Sequence, residues 1–86
     1  MADDRLELAL EHHMSGDVPR AETLYRSILE TDPEQPDALH FLGILLHQKG
    51  GGEAGRDLVK QSLRHAPLRA DWHNDLGNML VEGGQL

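Results

Sequence analysis

The sequence predicts an all-α solenoid made of repeated helix–turn–helix pairs. Gly16, Gly50 and Gly84 lie 34 residues apart, and Pro33 and Pro67 keep the same interval. Within each unit, apolar residues recur at the three- and four-residue steps of a helix face. A fixed period of about 20–50 residues is typical of proteins that stack copies of one supersecondary unit. We expect five helices, or two and a half repeats, in a right-handed superhelix.

The first repeat, over residues 2–35, is predicted to contain two helices. An apolar pattern indicates a helix over residues 3–14, which Gly16 ends. Asp17 can cap the second helix, because its side chain can accept a bond from a free N–H group of the first turn. That helix is expected to run to about Thr31, since Asp32 precedes a proline and such residues avoid the helical region.

The second repeat, over residues 36–69, restarts the same pattern. A helix is predicted from Pro36 or Asp37 to Lys49 and a second over residues 53–64, with three glycines between them. A half repeat over residues 70–86 supplies a fifth helix from Asp71 to about residue 82. We expect residues 1–86 to form a single domain.

The composition narrows the class of partner. The chain has 86 residues, a formal net charge of −7, eight Lys and Arg residues and no cysteine. We do not expect nucleic acid as a partner, because phosphate binding needs clustered basic residues and the sequence shows no such cluster. No run is long and apolar enough to span or insert in a membrane. We expect a cytoplasmic protein that binds a protein or peptide partner, and the acidic balance favours a basic or apolar one.

The repeat positions resemble those of the tetratricopeptide repeat family. The motif falls on Leu42-Gly43 and Leu46 in the second unit and on Leu76-Gly77 and Leu80 in the third. The resemblance implies small residues where the paired helices approach closely, and these are Ala9, Gly43 and Gly77, facing Ala21 and Gly55. It also implies a scaffold that binds proteins and has no catalytic activity.

The amino-acid sequences of two segments are similar to those of a narrower group of repeat proteins. Residues 37–43 and 73–78 resemble the repeat arrays that precede bacterial glycosyltransferase domains of the O-GlcNAc transferase kind. This similarity leaves an alternative function open, in which the chain is the substrate-recruiting N-terminal segment of a larger glycosyltransferase.

In this family the first helix of each unit lines a concave groove, so the resemblance also implies a peptide site. The expected groove residues are Leu6, Leu10, His13, Asp37, His40, Ile44, His47, Gln48, Asp71, Asn74 and Asn78. This mixture of apolar, polar and acidic side chains suits a peptide or a helix.

The fifth helix suggests a second alternative, self-association. Because the third unit lacks its second helix, Leu76 and Leu80 are expected to be exposed near Met79, and these three residues are the predicted self-association site. A second copy of the chain could cover them, which predicts a homodimer through the C-terminal helix.

No catalytic site, metal site or cofactor is expected. Only His13 and His47, from neighbouring helices, form a histidine pair worth considering. His40 and His47 lie two turns apart, roughly 10 Å, too far for one ion with Zn–N bonds of about 2.0–2.1 Å.

Overall fold

The computed structural model describes residues 4–82, which fold into five α-helices without a strand in that range. The helices are α1 (Arg5–Ser15), α2 (Val18–Thr31), α3 (Pro36–Gln48), α4 (Gly52–His65) and α5 (Ala70–Glu82). The all-α class and the five predicted helices are thereby confirmed. Gly84 and the predicted stop signal of the last helix lie outside the described residues.

The turns between the paired helices contain the glycines and the aspartate cap that the sequence predicts. Gly16 ends α1 with φ 89° and Gly50 follows α3 with φ 93°. This left-handed conformation costs glycine little, because glycine has no Cβ atom. The Asp17 carboxylate accepts a bond from the backbone N–H of Arg20 at 3.4 Å, as expected for a helix cap. The cap of α3 was not predicted: the Gln35 side chain accepts from the N–H of Ala38 at 2.6 Å.

Small residues allow the first two helix pairs to pack closely. Ala9 and Ala21 are both fully buried between α1 and α2. In the next pair, a Cβ atom added at Gly43 would lie 2.7 Å from the carbonyl oxygen of Gly55. Backbones at that separation leave no room for a side chain, so glycine is required by packing.

The core consists of two clusters of buried side chains. The first lies among α1, α2 and α3, and its members are Ala9, Ala21, Tyr25, Leu42 and Leu45. The second joins α4 to α5, and its members are Val59, Leu63, Trp72 and Met79. The second cluster holds α5 on the array and therefore positions the polar side chains of that helix.

One residue expected at an exposed interface lies in this core. Met79 is 4 % exposed, so the expectation that it is available for self-association is wrong. Its side chain is covered by α4 of the same chain. Leu76 and Leu80, on the same helix, are half-buried rather than fully exposed. Leu76 packs against the second cluster, which covers part of it.

Candidate functional site

We define the groove face as the predicted groove residues that remain accessible on α1, α3 and α5. Six of them are half-buried: Leu6, Leu10, His13, Asp37, Ile44 and His47. Gln48, Asp71, Asn74 and Asn78 are exposed. The face therefore combines partly covered apolar side chains with accessible amide groups, which can bond a peptide backbone.

His13 connects the first two units of the groove face. Its Nδ1 lies 3.1 Å from the hydroxyl of Tyr25, and its Nε2 lies 2.8 Å from Oε1 of Gln48. Burial raises the pKa of Tyr25 to about 12, so the phenol keeps its proton and can donate to Nδ1. Nε2–H then donates to Gln48, and α1, α2 and α3 are joined by one hydrogen-bonded chain.

A cavity of about 220 Å³ opens between α3 and α5. Its lining residues are Ile44, His47, Gln48, Asp75, Asn78 and Met79. Four of these were predicted groove residues, so the fold brings separate sequence positions to one concavity. Ile44 and Met79 supply apolar surface, while Gln48, Asp75 and Asn78 supply hydrogen-bonding groups. We call this cavity the α3–α5 cavity.

His40 does not lie on the groove face, which corrects the prediction made from its repeat position. Its side chain is 1 % exposed and stacks on Trp72, with ring centroids 4.2 Å apart and planes 10° apart. Its Nε2 lies 3.1 Å from a carboxylate oxygen of Asp75. The bulky Trp72 of α5 covers the ring, and no sequence signal placed these two residues together.

The charge state of His40 follows from its surroundings. Burial lowers the pKa of His40, while the carboxylates of Asp75 and Asp71 act in the opposite direction. The neutral ring donates its Nε2 proton to Asp75, and no partner for its Nδ1 is found among the described residues. His40 thus orients the Asp75 side chain from beneath.

Arg69 is a second residue that the sequence did not single out. Its guanidinium lies 4.1 Å from the Trp72 ring centroid, over the ring. It also bonds Asp71 at 3.0 Å and lies 4.0 Å from Asp37. The Arg69 side chain lowers the pKa of Asp71. The carboxylates of Asp37 and Asp71, both predicted groove residues, are therefore partly neutralised by the same Arg69 side chain.

Another cleft, of about 340 Å³, lies at the beginning of α2. Its lining residues are His12, Pro19, Arg20, Thr23 and Leu24. It contains none of the predicted groove residues, and its Arg20 side chain already pairs with Asp17 at 3.4 Å. The α3–α5 cavity, in contrast, is lined by four of the predicted groove residues.

Two structural features of residues 4–82 concern metal binding and membrane spanning. Within that range there is no group of three or more His, Cys, Asp or Glu residues that could hold a metal ion. None of the described helices is long and apolar enough to cross a membrane.

Comparisons with known proteins agree with this architecture. The tetratricopeptide repeat profile matches residues 12–80. A TPR repeat-containing protein of Pseudomonas aeruginosa is 34% identical over 84 residues, which are 98% of this chain and 34% of the relative. A mutant O-GlcNAc transferase of Thermobaculum terrenum superposes with a TM-score of 0.91 and 34% identity, over 94% of this chain and 16% of the transferase. The chain thus spans about a third of the curated relative and a smaller part of the transferase.

Proposed function

Because the chain belongs to the tetratricopeptide repeat family, whose repeats generally mediate protein–protein interaction, we propose that it binds a peptide or partner protein on the groove face. In this role the chain positions a partner and performs no reaction itself. The family is typically a non-catalytic scaffold. We propose the cytoplasm as its compartment, since a cysteine-free chain has no disulfide to lose there.

The observation that carries this proposal is the convergence of groove residues at the α3–α5 cavity. Ile44 comes from the second unit and Asn78 from the third, yet both line the same concavity. The bond from His13 to Gln48 extends the face to the first unit. A concave site that joins apolar side chains to several convergent polar groups is a common place for a peptide or small ligand to bind.

A matched pair of substitutions tests the proposal. Peptides that bind the chain are first selected from a display library, and their affinity is then measured by fluorescence anisotropy. Ile44→Arg should weaken binding by about thirtyfold or more, because loss of a hot-spot contact at the centre of an interface costs about 2 kcal/mol or more. Leu68→Arg is the control, since Leu68 is 95% exposed in the loop before α5. Equal loss in both variants, or in neither, would remove the groove face from the account.

A second candidate function is substrate recruitment within a larger glycosyltransferase. The similarity to the Thermobaculum transferase over nearly the whole of this chain favours it. The test is sugar transfer by the full-length parent protein to a peptide selected on the groove face. Ile44→Arg should reduce transfer to that peptide while leaving hydrolysis of the sugar nucleotide unchanged. A full-length protein that shows no transferase activity would eliminate this candidate function.

A third candidate is self-association through α5. Gly77 occupies the repeat position of Gly43, but a Cβ atom added there would meet no atom of the described residues within 4 Å. That surface leaves room for another helix, and the half-buried Leu76 and Leu80 lie on the same helix. Sedimentation equilibrium on the parent and on Leu76→Gln/Leu80→Gln tests for a homodimer. A monomer at several hundred micromolar, or a double variant that dimerises equally well, would contradict this candidate.

A further inference from the structure

Asp75 is the acidic group of the α3–α5 cavity, and no lysine or arginine within residues 4–82 pairs with its carboxylate. Its carboxylate is 41% exposed and has one ion-pair or hydrogen-bond partner among the described residues, His40. The neighbouring acids differ, because Asp71 and Asp37 share the guanidinium of Arg69. A negative charge that lines a cavity without a cation is a recognition element for a positively charged group.

His40 orients this charge without cancelling it. Burial against Trp72 keeps the ring neutral, so Nε2 donates a hydrogen bond to one carboxylate oxygen and supplies no positive charge. An oriented acceptor loses less side-chain entropy when it binds a partner than a freely rotating one does. The stacked Trp72 and His40 rings hold the donor in place from beneath the cavity.

The rest of the lining suits an amphipathic side chain. Ile44 and Met79 provide an apolar surface, and Asn78 provides an amide at the rim. Lysine and arginine bury an aliphatic stem and keep the charged head near polar groups. The volume of about 220 Å³ is below the range of about 300–1,000 Å³ that is usual for small-molecule pockets, which favours a single side chain.

We propose that the α3–α5 cavity binds a lysine or arginine side chain of the partner, with Asp75 as its counter-charge. This inference rests on the proposed function and specifies the chemistry of the partner at one point of the groove face. The stem packs mainly on the half-buried Ile44, and the charged head meets the carboxylate beside Asn78. The partner is therefore a peptide segment that presents a basic residue to this cavity.

Capped tripeptides that differ only in the central side chain test the proposal. Arginine, lysine and uncharged norleucine are compared by ¹H–¹⁵N NMR titration at pH 8. The basic peptides should shift the side-chain amide signals of Gln48 and Asn78 and bind at least about threefold more tightly than the norleucine peptide. An exposed ion pair contributes about 0.2–1 kcal/mol, which corresponds to a factor of up to about five.

Three variants assign the effect to the cavity. Asp75→Asn should abolish the preference for the basic peptides, whereas Glu30→Gln, an equal charge change at an exposed site on α2, should preserve it. Asn78→Asp adds a charge at the exposed rim and should strengthen binding of the arginine peptide by about threefold, within the same range for exposed pairs. This variant carries the test if Asp75→Asn does not fold.

The outcomes separate this inference from the proposed function. Equal binding of the norleucine and arginine peptides, or no shift with any tripeptide, overturns the basic subsite. Display-selected peptides that depend on Ile44 but not on Asp75 would also overturn it while leaving the groove face intact. Loss of the Ile44 effect alone would count against the groove face instead.

Discussion

At the scale of single residues, Gly43 and Gly77 show how neighbours decide the effect of the same substitution. The two glycines occupy equivalent repeat positions. A Cβ atom at Gly43 would lie 2.7 Å from a backbone oxygen and 2.8 Å from a methyl group of Val59, whereas one at Gly77 would meet nothing. Backbone atoms cannot move aside as a flexible side chain can, so Gly43 forms part of the α3–α4 contact.

This contrast predicts opposite signs for two alanine substitutions. Gly43→Ala should lower the free energy of unfolding by about 1–3 kcal/mol, as overpacking in a core usually does. Gly77→Ala should raise it by about 0.5–1 kcal/mol, because alanine is the better helix former and meets open space. Urea unfolding of the two variants measures both values. A Gly43→Ala variant as stable as the parent would show that α3 and α4 are farther apart than described.

The buried imidazole of His40 predicts a pH dependence of stability. Its pKa is lowered from the usual 6.5, so its contribution is fully present above pH 6.5 and is lost as the pH falls through the lowered value. Burial is the main cause. The opposing groups are Asp75 and Asp71, and Arg69 acts with burial.

Urea unfolding at pH 7.5, 6.5 and 5.5 tests this dependence. The parent should lose stability over this range, and His40→Phe, which retains an aromatic ring against Trp72, should lose less. The pKa values of Asp71 and Glu22 are lowered from their usual 3.8 and 4.5, so these two carboxylates affect stability only at pH values below this range. Parallel curves for the parent and His40→Phe would show that His40 does not titrate in this window.

The residue scale is also where sequence reasoning was least complete. The cap from Gln35 and the position of Arg69 over Trp72 were not predicted. Glutamine is a less common helix cap than Ser, Thr, Asp or Asn. The contacts of Arg69 join the loop before α5 to both α5 and α3, and they depend on how neighbouring repeats stack. The repeat position of His40 predicts a place in the groove. In the structure its ring is buried instead, because the large side chain of Trp72 stacks on it.

At the scale of helices, the sequence predicts much more of the structure. The ends of the helices follow from the backbone preferences of glycine and proline, which are local and can be read from the sequence. The left-handed φ of Gly16 and Gly50 illustrates this. The apolar stripes identify which face of each helix is buried. They cannot tell how much of α5 is covered by α4, because that depends on the distance between the two helices.

The helices also differ in how firmly they are held. The contact between α3 and α4 is the most extensive in the described part of the chain, and that between α4 and α5 is much smaller. In repeat proteins each unit is stabilised mainly by its neighbours, so a terminal helix with a small contact opens first.

The single tryptophan makes the opening of α5 measurable. Trp72 lies on α5 and is the only tryptophan of the chain. We expect its fluorescence to report unfolding at a lower urea concentration than far-ultraviolet circular dichroism, which reports all five helices. Coincident transitions would indicate that α5 unfolds together with the rest of the array.

At the scale of the whole molecule, the net charge of −7 predicts that partner binding depends on salt. Raising the salt concentration from about 0.01 M to 0.15 M shortens the Debye length from about 30 Å to 8 Å and should weaken the association of a basic peptide. Most of the change should appear in the association rate, because steering acts over distance. Stopped-flow binding at several salt concentrations measures it, and rates that do not change would count against an electrostatic role of the acidic surface.

The central claim, that a partner binds on the groove face of α1, α3 and α5, is tested most directly by mapping a bound peptide. A display-selected peptide is titrated into the ¹⁵N-labelled chain, and chemical-shift changes are recorded for every amide. If the partner binds there, the largest changes should occur at Leu10, His13, Ile44, Gln48 and Asn78, with little change at exposed positions of α2 and α4 such as Arg26 and Lys60. Changes confined to the outer surface of α2 and α4 would contradict it.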